Sequence, residues 1–455
     1  MNKDNHQGVE AFYNYLWAYI LVALSGCLGN VVDGIIVGNL INEDGVSAII
    51  ISKPVNQFIF TLHLLINAGA GMLVAYALGK DDIGKARSLF TRAFMLSIGL
   101  GVLLAVIGGI ILPDQTARML CKNELILPLA SDYLQILLLG NPAFILMWGL
   151  STMVGVDGSP KLVSLAVIID NVANLFLDIV FIQWFGWGIA GSSAATVVGH
   201  LIGIAILLSH WWKPASQHSF LSTRPARLAL SFDGKEGLLS SWKHIISQGA
   251  PLAIASISLT LLLLSANNIV QGTLGRTGIF AFAVCMNLLQ VYNLYISGTC
   301  QTLQSLGAIQ VGKGDNEGLR TVLVKAVRFL TISMAVTCLL VWIFPTAIVR
   351  LFGTSDPAFI NESNHALRVF ALSFIPFGFI YVLMIIYKLY HHHHIALFIS
   401  FALSLTVIPV LWAMSKWLPD YLWYSYLIAY LIEGAAILIL HRATHVEFRL
   451  PTPKQ

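Results

Sequence analysis

Charge is scarce in this chain. Only 22 Asp and Glu and 26 Lys and Arg occur among 455 residues, 11% in all. A soluble domain carries about a quarter. So few charged side chains cannot cover a water-facing surface of this size, and lipid is the direct alternative. The net charge of +4 is small and its basic residues are dispersed, which argues against a nucleic-acid partner. Cysteine is sparse as well. The five at Cys27, Cys121, Cys285, Cys300 and Cys338 form no CxxC pair, and four lie in apolar runs, where cysteine packs as a small hydrophobe.

Apolar residues are abundant instead: 57% of the chain is hydrophobic and the mean hydropathy is +0.78. A helix needs roughly 20 apolar residues to cross a ~30 Å hydrocarbon layer. Twelve stretches qualify, at 11–40, 48–78, 90–112, 129–154, 160–184, 188–210, 245–272, 277–311, 322–344, 364–388, 393–414 and 421–441. The first is too long for the core of a signal peptide and reads as a retained helix. The expected fold is an all-α polytopic membrane protein. The longest polar stretch, 211–244, divides it into an N-terminal lobe at 1–210 and a C-terminal lobe at 245–455, which includes a cytoplasmic tail. With the N-terminus inside, 19 of the 26 Lys and Arg fall on the inner side. That bias sets both termini and the 211–244 linker in the cytoplasm.

The halves repeat. Gly79-Lys80-Asp81-Asp82 and Arg87 recur as Gly312-Lys313-Gly314-Asp315 and Arg320, 233 positions later. At the same spacing Gly45, Ala48 and Gln57 meet Gly278, Ala281 and Gln290, and Pro113 and Arg118 meet Pro345 and Arg350 at 232. With six spans in each half, equivalent helices run in the same direction. This implies two six-helix lobes related by a pseudo-two-fold axis along the membrane normal, a transporter architecture.

Ionisable groups at membrane depth are costly and mark function by default. Asp33 lies in the first span, Asp170 and Asp178 in the fifth, and Glu433 in the twelfth. Asp170, Asn174 and Asp178 recur every four residues, with Asn171 beside them, so one helix face is a polar stripe. At 1.5 Å per residue Asp33 lies ~10 Å, Asp178 ~9 Å and Thr196 ~12 Å from the outer ends of their spans, with Asn174 a turn deeper. Two carboxylates at one depth with amide and hydroxyl support form a candidate H⁺ or Na⁺ site. Bonding between neighbouring helices is the alternative reading. The second lobe offers neutral groups: Asn267 at the position of Asp33, then Asn287, Gln290 and Tyr292. With Gln57, Asn171 and Glu433 they are the candidates for a substrate cavity, although a structural partner for Glu433 is an equal reading. Lys53 beside Pro54 reads as a snorkelling side chain. The run His391 to His394 points four ways on a helix and suits a cytoplasmic turn better than a metal site.

These residues carry a family resemblance. Asp157-Gly158-Ser159-Pro160-Lys161, the run from Asp170 to Asp178 and the run from Gly188 to Thr196 resemble the fifth and sixth helices of multidrug and toxic compound extrusion transporters. Val32-Asp33-Gly34 in the first helix and Gly249-Ala250-Pro251 at the seventh are similar too. The resemblance covers nearly the whole chain. It implies a monomeric bacterial inner-membrane antiporter that exports organic, often cationic, small molecules in exchange for H⁺ or Na⁺, with no other cofactor. In the DinF-like branch the coupling role falls on Asp33, Asn174, Asp178 and Thr196, which with Asp170 form the expected cation-coupling group; Na⁺ would sit at Asp33, Asn174 and Asp178. That branch usually has a proline in the first helix, and residues 11–40 have none. Glu433 resembles a glutamate common in the twelfth helix of the MepA-like branch, so both branches stay open.

Three rival classes remain. A lipid-linked saccharide flippase shares the two-lobe architecture, but an anionic headgroup calls for basic residues that the spans largely lack. A polytopic membrane enzyme needs a catalytic cluster near one interface, and the loops hold no HExxH, paired-Asp or Ser/His/Asp grouping. A channel has no need of duplicated six-helix halves.

Overall fold

The computed structural model describes residues 3–41, 43–120, 126–212, 228–232, 237–350 and 356–443. Some side chains within these helices, those of residues 30–35 among them, lie outside the description. The chain is all-α, with no strand among the described residues. The first half contains α1 (Lys3–Leu40), α2 (Glu43–His63), α3 (Gly69–Gly79), α4 (Ile83–Leu104), α5 (Pro113–Leu120), α6 (Leu127–Leu139), α7 (Asn141–Val156), α8 (Pro160–Ile179) and α9 (Gly188–Trp212). The second contains α10 (Leu238–Thr302), α11 (Ala308–Lys313), α12 (Asn316–Ile343), α13 (Pro345–Arg350), α14 (Pro357–Leu389), α15 (His393–Leu405), α16 (Val407–Trp417) and α17 (Ser425–Ala443). Eleven helices among the described residues are long and apolar enough to cross a membrane, and a bent pair makes twelve.

The bent pair is the fourth span, expected from sequence as one helix at 129–154. It is α6 and α7, which meet at 49°. Two residues cause the break. Pro142 has no N–H to return to the preceding turn. Gly140, which caps α6 by donating its N–H to the Ile136 carbonyl at 2.9 Å, sits against α9; a Cβ there would lie 2.1 Å from Val197 Cγ2. The seventh and eighth spans meet with almost no loop, because Gly275 turns the chain at φ 61, ψ −143. Only glycine adopts that conformation readily. The eleventh span divides at Thr406 between α15 and α16, where Pro409 cannot donate to Leu405.

The chain divides into two compact units. One is Tyr13–Gly249; the other joins Ala250–Gln455 with Met1–Phe12. The division thus falls inside α10, later than the expected lobe boundary at 245. In the first unit α10 begins against the second span: a Cβ on Gly249 would lie 1.8 Å from the Leu65 carbonyl oxygen, and one on Gly69 2.0 Å from that of Ile245. The two glycines therefore permit backbone contact.

The sequence repeat is a backbone repeat. Asp82 caps α4 by accepting from Lys85 N–H at 3.0 Å, and Asp315 caps α12 by accepting from Gly318 N–H at 2.9 Å. The preceding residues, Asp81 and Gly314, are both left-handed, with φ 54 and φ 70. Pro113 and Pro345 open the equivalent short helices α5 and α13. Of the expected linker, 213–227 and 233–236 lie outside the described residues. The segment 228–232 is bound to the first unit. Trp211 Nε1 donates to the Leu228 carbonyl at 2.7 Å, and Ser231 N–H donates to Thr91 Oγ1 at 2.7 Å.

Candidate functional site in the first unit

The polar stripe of α8 lies in the tightest helix pairing of the first unit, against the antiparallel α9. Glycine makes the approach close. A Cβ on Gly199 would lie 2.8 Å from Asp170 Oδ1, and one on Gly203 would lie 2.6 Å from the Met147 methyl. Across the interface the residues meet in successive rungs. Asn174 Nδ2 donates to Thr196 Oγ1 at 3.1 Å, whose hydroxyl hydrogen is directed to the Ser192 carbonyl at 3.1 Å. One turn along, His200 Nδ1 lies 3.0 Å from Asp170 Oδ1 and 2.9 Å from Oδ2. The edge of that imidazole meets Phe144 of α7, with ring centroids 4.3 Å apart.

Asp178 is fully buried and Asp170 is nearly so. In the antiparallel register Ser192 stands opposite Asp178, as Thr196 stands opposite Asn174 and His200 opposite Asp170. On the other flank of the stripe, Asn171 Nδ2 donates to Ser25 Oγ of α1 at 3.0 Å and to the Val167 carbonyl at 2.9 Å. Gly29 lets α1 come this near, since a Cβ there would lie 2.8 Å from Asn171 Oδ1. Asp33 lies four residues further along α1, and its side chain is outside the described residues. Asn174, Thr196, Asp170 and Asn171 are thus brought together. Nothing described bears on the distance from Asp33 to Asp178.

The remaining candidates are dispersed. Gln57 is half-buried on α2. Asn267, Asn287 and Gln290 are exposed on α10, and Asn287 Nδ2 donates to its own helix at the Ala283 carbonyl, at 2.9 Å. Tyr292 is buried in the second unit, where its hydroxyl donates to the Met334 carbonyl at 3.3 Å and lies 3.1 Å from Cys338 Sγ. Glu433 on α17 is also buried, and neither of its oxygens has a hydrogen-bond partner among the described residues. Tyr430, one turn before it on α17, meets Phe377 at a tilt, with ring centroids 5.3 Å apart. Lys53 is exposed. Of the histidine run, His391, at φ 64, and His392 lie in the turn between α14 and α15, and His393 and His394 open α15; no cluster of three metal-binding side chains occurs among the described residues.

Sequence reasoning missed His200 and Ser25. The first was within reach: Thr196 and His200 are four apart, the same spacing that marked α8, so the stripe has a complementary partner on α9. It also missed a buried group in the second and third spans. Asn67 Nδ2 lies 2.8 Å from His63 Nδ1, and Ser97 Oγ donates to Asn67 Oδ1 at 3.2 Å. Asn67 belongs to a π-helical segment, Leu64–Ala68, and such bulges in transmembrane helices often accompany polar contacts.

Comparison with known proteins agrees with this architecture. The MatE family profile matches residues 19–180 and 251–418, two blocks that begin 232 positions apart, the spacing of the repeat. The multidrug export protein MepA of Staphylococcus aureus is 24% identical over 432 residues, which cover 93% of this chain and 92% of the relative. MepA of Staphylococcus haemolyticus is 24% identical over 414 residues, 90% of this chain and 88% of the relative. Among solved structures, a transporter of the MOP superfamily from Pyrococcus furiosus superposes with a TM-score of 0.83 at 18% identity, covering 96% of each chain. A variant of a Vibrio cholerae MATE transporter gives 0.83 at 16% identity, covering 99% of this chain and 100% of the other. With a family match across both repeats and this fold, the chain belongs to the MatE family of membrane transporters.

Proposed function

We propose that this protein is a secondary antiporter that exports organic, chiefly cationic, multidrug-type compounds and draws its energy from H⁺ or Na⁺ entering the cell. The observation that carries this reading is the α8–α9 interface. Two buried carboxylates, an amide and a hydroxyl lie on facing helices of a membrane-spanning unit, and ionisable groups at that depth serve ion pathways. The coupling group is Asp33, Asn174, Asp178, Thr196 and Asp170, with Asp33, Asn174 and Asp178 as the donors if the ion is Na⁺. Oxygen donors of this kind suit a hard cation or a proton. The candidates for binding the exported compound are the polar side chains Gln57, Asn171, Asn267, Asn287, Gln290, Tyr292 and Glu433. The protein acts as a monomer in the bacterial inner membrane. Its termini and linker are cytoplasmic, and lobes 1–210 and 245–455 alternate access about the pseudo-two-fold axis.

Neutralisation is the mechanical step. Carboxylates in a dry site resist ionising together. Opening to the outside lets the entering cation neutralise them; the helices then repack and the compound is expelled. Gradient-driven efflux of a fluorescent organic cation from proteoliposomes, with pH and Na⁺ gradients imposed separately, tests this. Asp33→Asn and Asp178→Asn should each insert normally and lose coupled efflux. The double variant should be little worse than either, because the residues act as one unit. Asn174→Ala and Thr196→Ala should weaken coupling less. Wild-type rates in both Asp→Asn single variants overturn the site.

A further inference from the structure

The α8–α9 interface contains a histidine that the coupling group above leaves unused. We propose that His200 and Asp170 form a pair within the coupling machinery that binds H⁺ rather than Na⁺. The inference deepens the proposed function and rests on it.

The geometry defines the pair. Nδ1 of His200 reaches both oxygens of Asp170, at 3.0 and 2.9 Å. In the form of the pair in which Asp170 is a carboxylate, which only accepts hydrogen bonds, Nδ1 carries the hydrogen and Nε2 is the basic nitrogen. Nε2 has no hydrogen bond to any described residue. The imidazole keeps 11% of its surface accessible and the Asp170 side chain 7%. A proton arriving from water forms a bond to Nε2, no other bond changes, and the pair passes from a net charge of −1 to neutral. Release restores the anion.

Sodium is the weaker fit at this rung, because the atom of the pair left without a hydrogen bond to a described residue is an imidazole nitrogen and hard alkali cations favour oxygen donors.

Connection to the coupling group follows from helix geometry. Asp170 is one turn from Asn174 on α8, His200 is one turn from Thr196 on α9, and Asn174 bonds Thr196 across the interface. The pair lies ~12 Å along the helix from Asp178. A change of its charge alters the electrostatics of the whole stripe in a low-dielectric setting. Other titratable groups on elements packed against α9 are Lys161 and Asp178 on α8 and Asp132 and Tyr133 on α6; α7 and the segment Val180–Trp184 have none. His210, on α9 itself, is held by Asp157. Among the described residues the hydrogen bonds of His200 go to Asp170.

The bland alternative is a helix–helix bond without a transported proton. Difference titration separates the two. Purified wild type and His200→Gln are titrated from pH 8 to pH 5 in weakly buffered detergent, in NaCl and in choline chloride. The wild type should take up close to one proton per chain more than the variant, equally in both salts. Asp170→Asn, which leaves the imidazole but removes its counter-charge, should lose the same uptake, and His200→Asn repeats the measurement if His200→Gln fails to fold. In proteoliposomes His200→Gln should lose most of the efflux driven by a proton gradient. Superimposable titration curves, or a proton uptake that Na⁺ abolishes, overturn the proposal. Asp178→Asn is the control for the underlying reading: it should lose coupled efflux yet keep the extra proton uptake. If Asp33→Asn and Asp178→Asn both pump as wild type, the coupling site is wrong, whereas an unchanged His200→Gln titration condemns the pair alone.

Discussion

Gly158 and His391 occupy the same turn, 233 positions apart, and both have left-handed backbones, with φ 103 and φ 64. The match extends to the hydrogen bonds that close the turn. Gly158 N–H donates to the Gly155 carbonyl and His391 N–H to that of Lys388, each at 3.1 Å. Ser159 N–H and His392 N–H donate to Val154 and Tyr387, at 3.0 and 2.9 Å. His391 thus stands where the first half uses glycine, which gives the histidine run a structural meaning: its first member closes the turn between α14 and α15.

The conformation sets the first prediction. A branched side chain at positive φ is strained, so Gly158→Val should lower stability by about 1–3 kcal/mol. His391→Gly should hold or raise stability, since the turn already demands a residue tolerant of positive φ. Thermal unfolding in detergent checks both. A lower midpoint for His391→Gly than for wild type contradicts the argument.

Much of this architecture was legible in the sequence because lipid imposes it. Every span must be long, apolar and helical, and duplication repeats the caps, so Asp82 and Asp315 announced equivalent helix starts. What escaped depends on contacts between helices. The bend at Gly140 needs both Pro142 and the approach of Val197, and only the proline is visible in one dimension. Depth put Thr196 level with Asp33 and Asp178 and Asn174 a turn deeper, yet the partner of Thr196 across the interface is Asn174, because depth counted from span ends is blind to the register between two helices. His200 went unseen because it was not weighed against Asp170, although the two lie on complementary faces at four-residue spacing. Ser25 carries no sequence signal at all: its partner Asn171 lies 146 positions away.

A second prediction concerns the anchor of the linker. Asp157 and His210 have fully buried side chains, and His210 Nε2 lies 3.1 Å from Asp157 Oδ2. The same oxygen accepts from Leu228 N–H at 3.1 Å. Asp157→Ala strands both donors, and leaving buried partners unpaired costs about 3 kcal/mol. Unfolding should shift accordingly, and protease should cut near Leu228 faster. A variant with wild-type stability and cleavage excludes the anchoring role.

Topology gives the third. The proposed orientation, which puts 19 of the 26 basic residues inside, makes Ser219 in the linker, which lies outside the described residues, cytoplasmic. A cysteine placed at Ser219 in a variant lacking the five native cysteines should resist an impermeant thiol reagent in intact cells. It should react once the membrane is opened. Rapid labelling of intact cells inverts the orientation.

Glu433 separates a buried acid from a coupling acid. It is 1% exposed, and neither oxygen is hydrogen-bonded among the described residues. Its neighbours on α17 are committed to aromatic packing: Tyr426 meets Phe370 with centroids 4.8 Å apart, and Tyr430 meets Phe377 at 5.3 Å. A buried carboxylate without partners is expensive when ionised. Glutamine keeps the shape and removes the ionisable group, so Glu433→Gln should fold at least as stably as wild type. The proposed coupling residues all belong to Tyr13–Gly249, whereas Glu433 belongs to the other unit. Gradient-driven efflux should therefore persist in Glu433→Gln, with any change confined to which compounds are exported. Transport by purified, monodisperse variant in proteoliposomes decides the matter. Complete loss of efflux in a well-folded protein moves part of the coupling chemistry to α17.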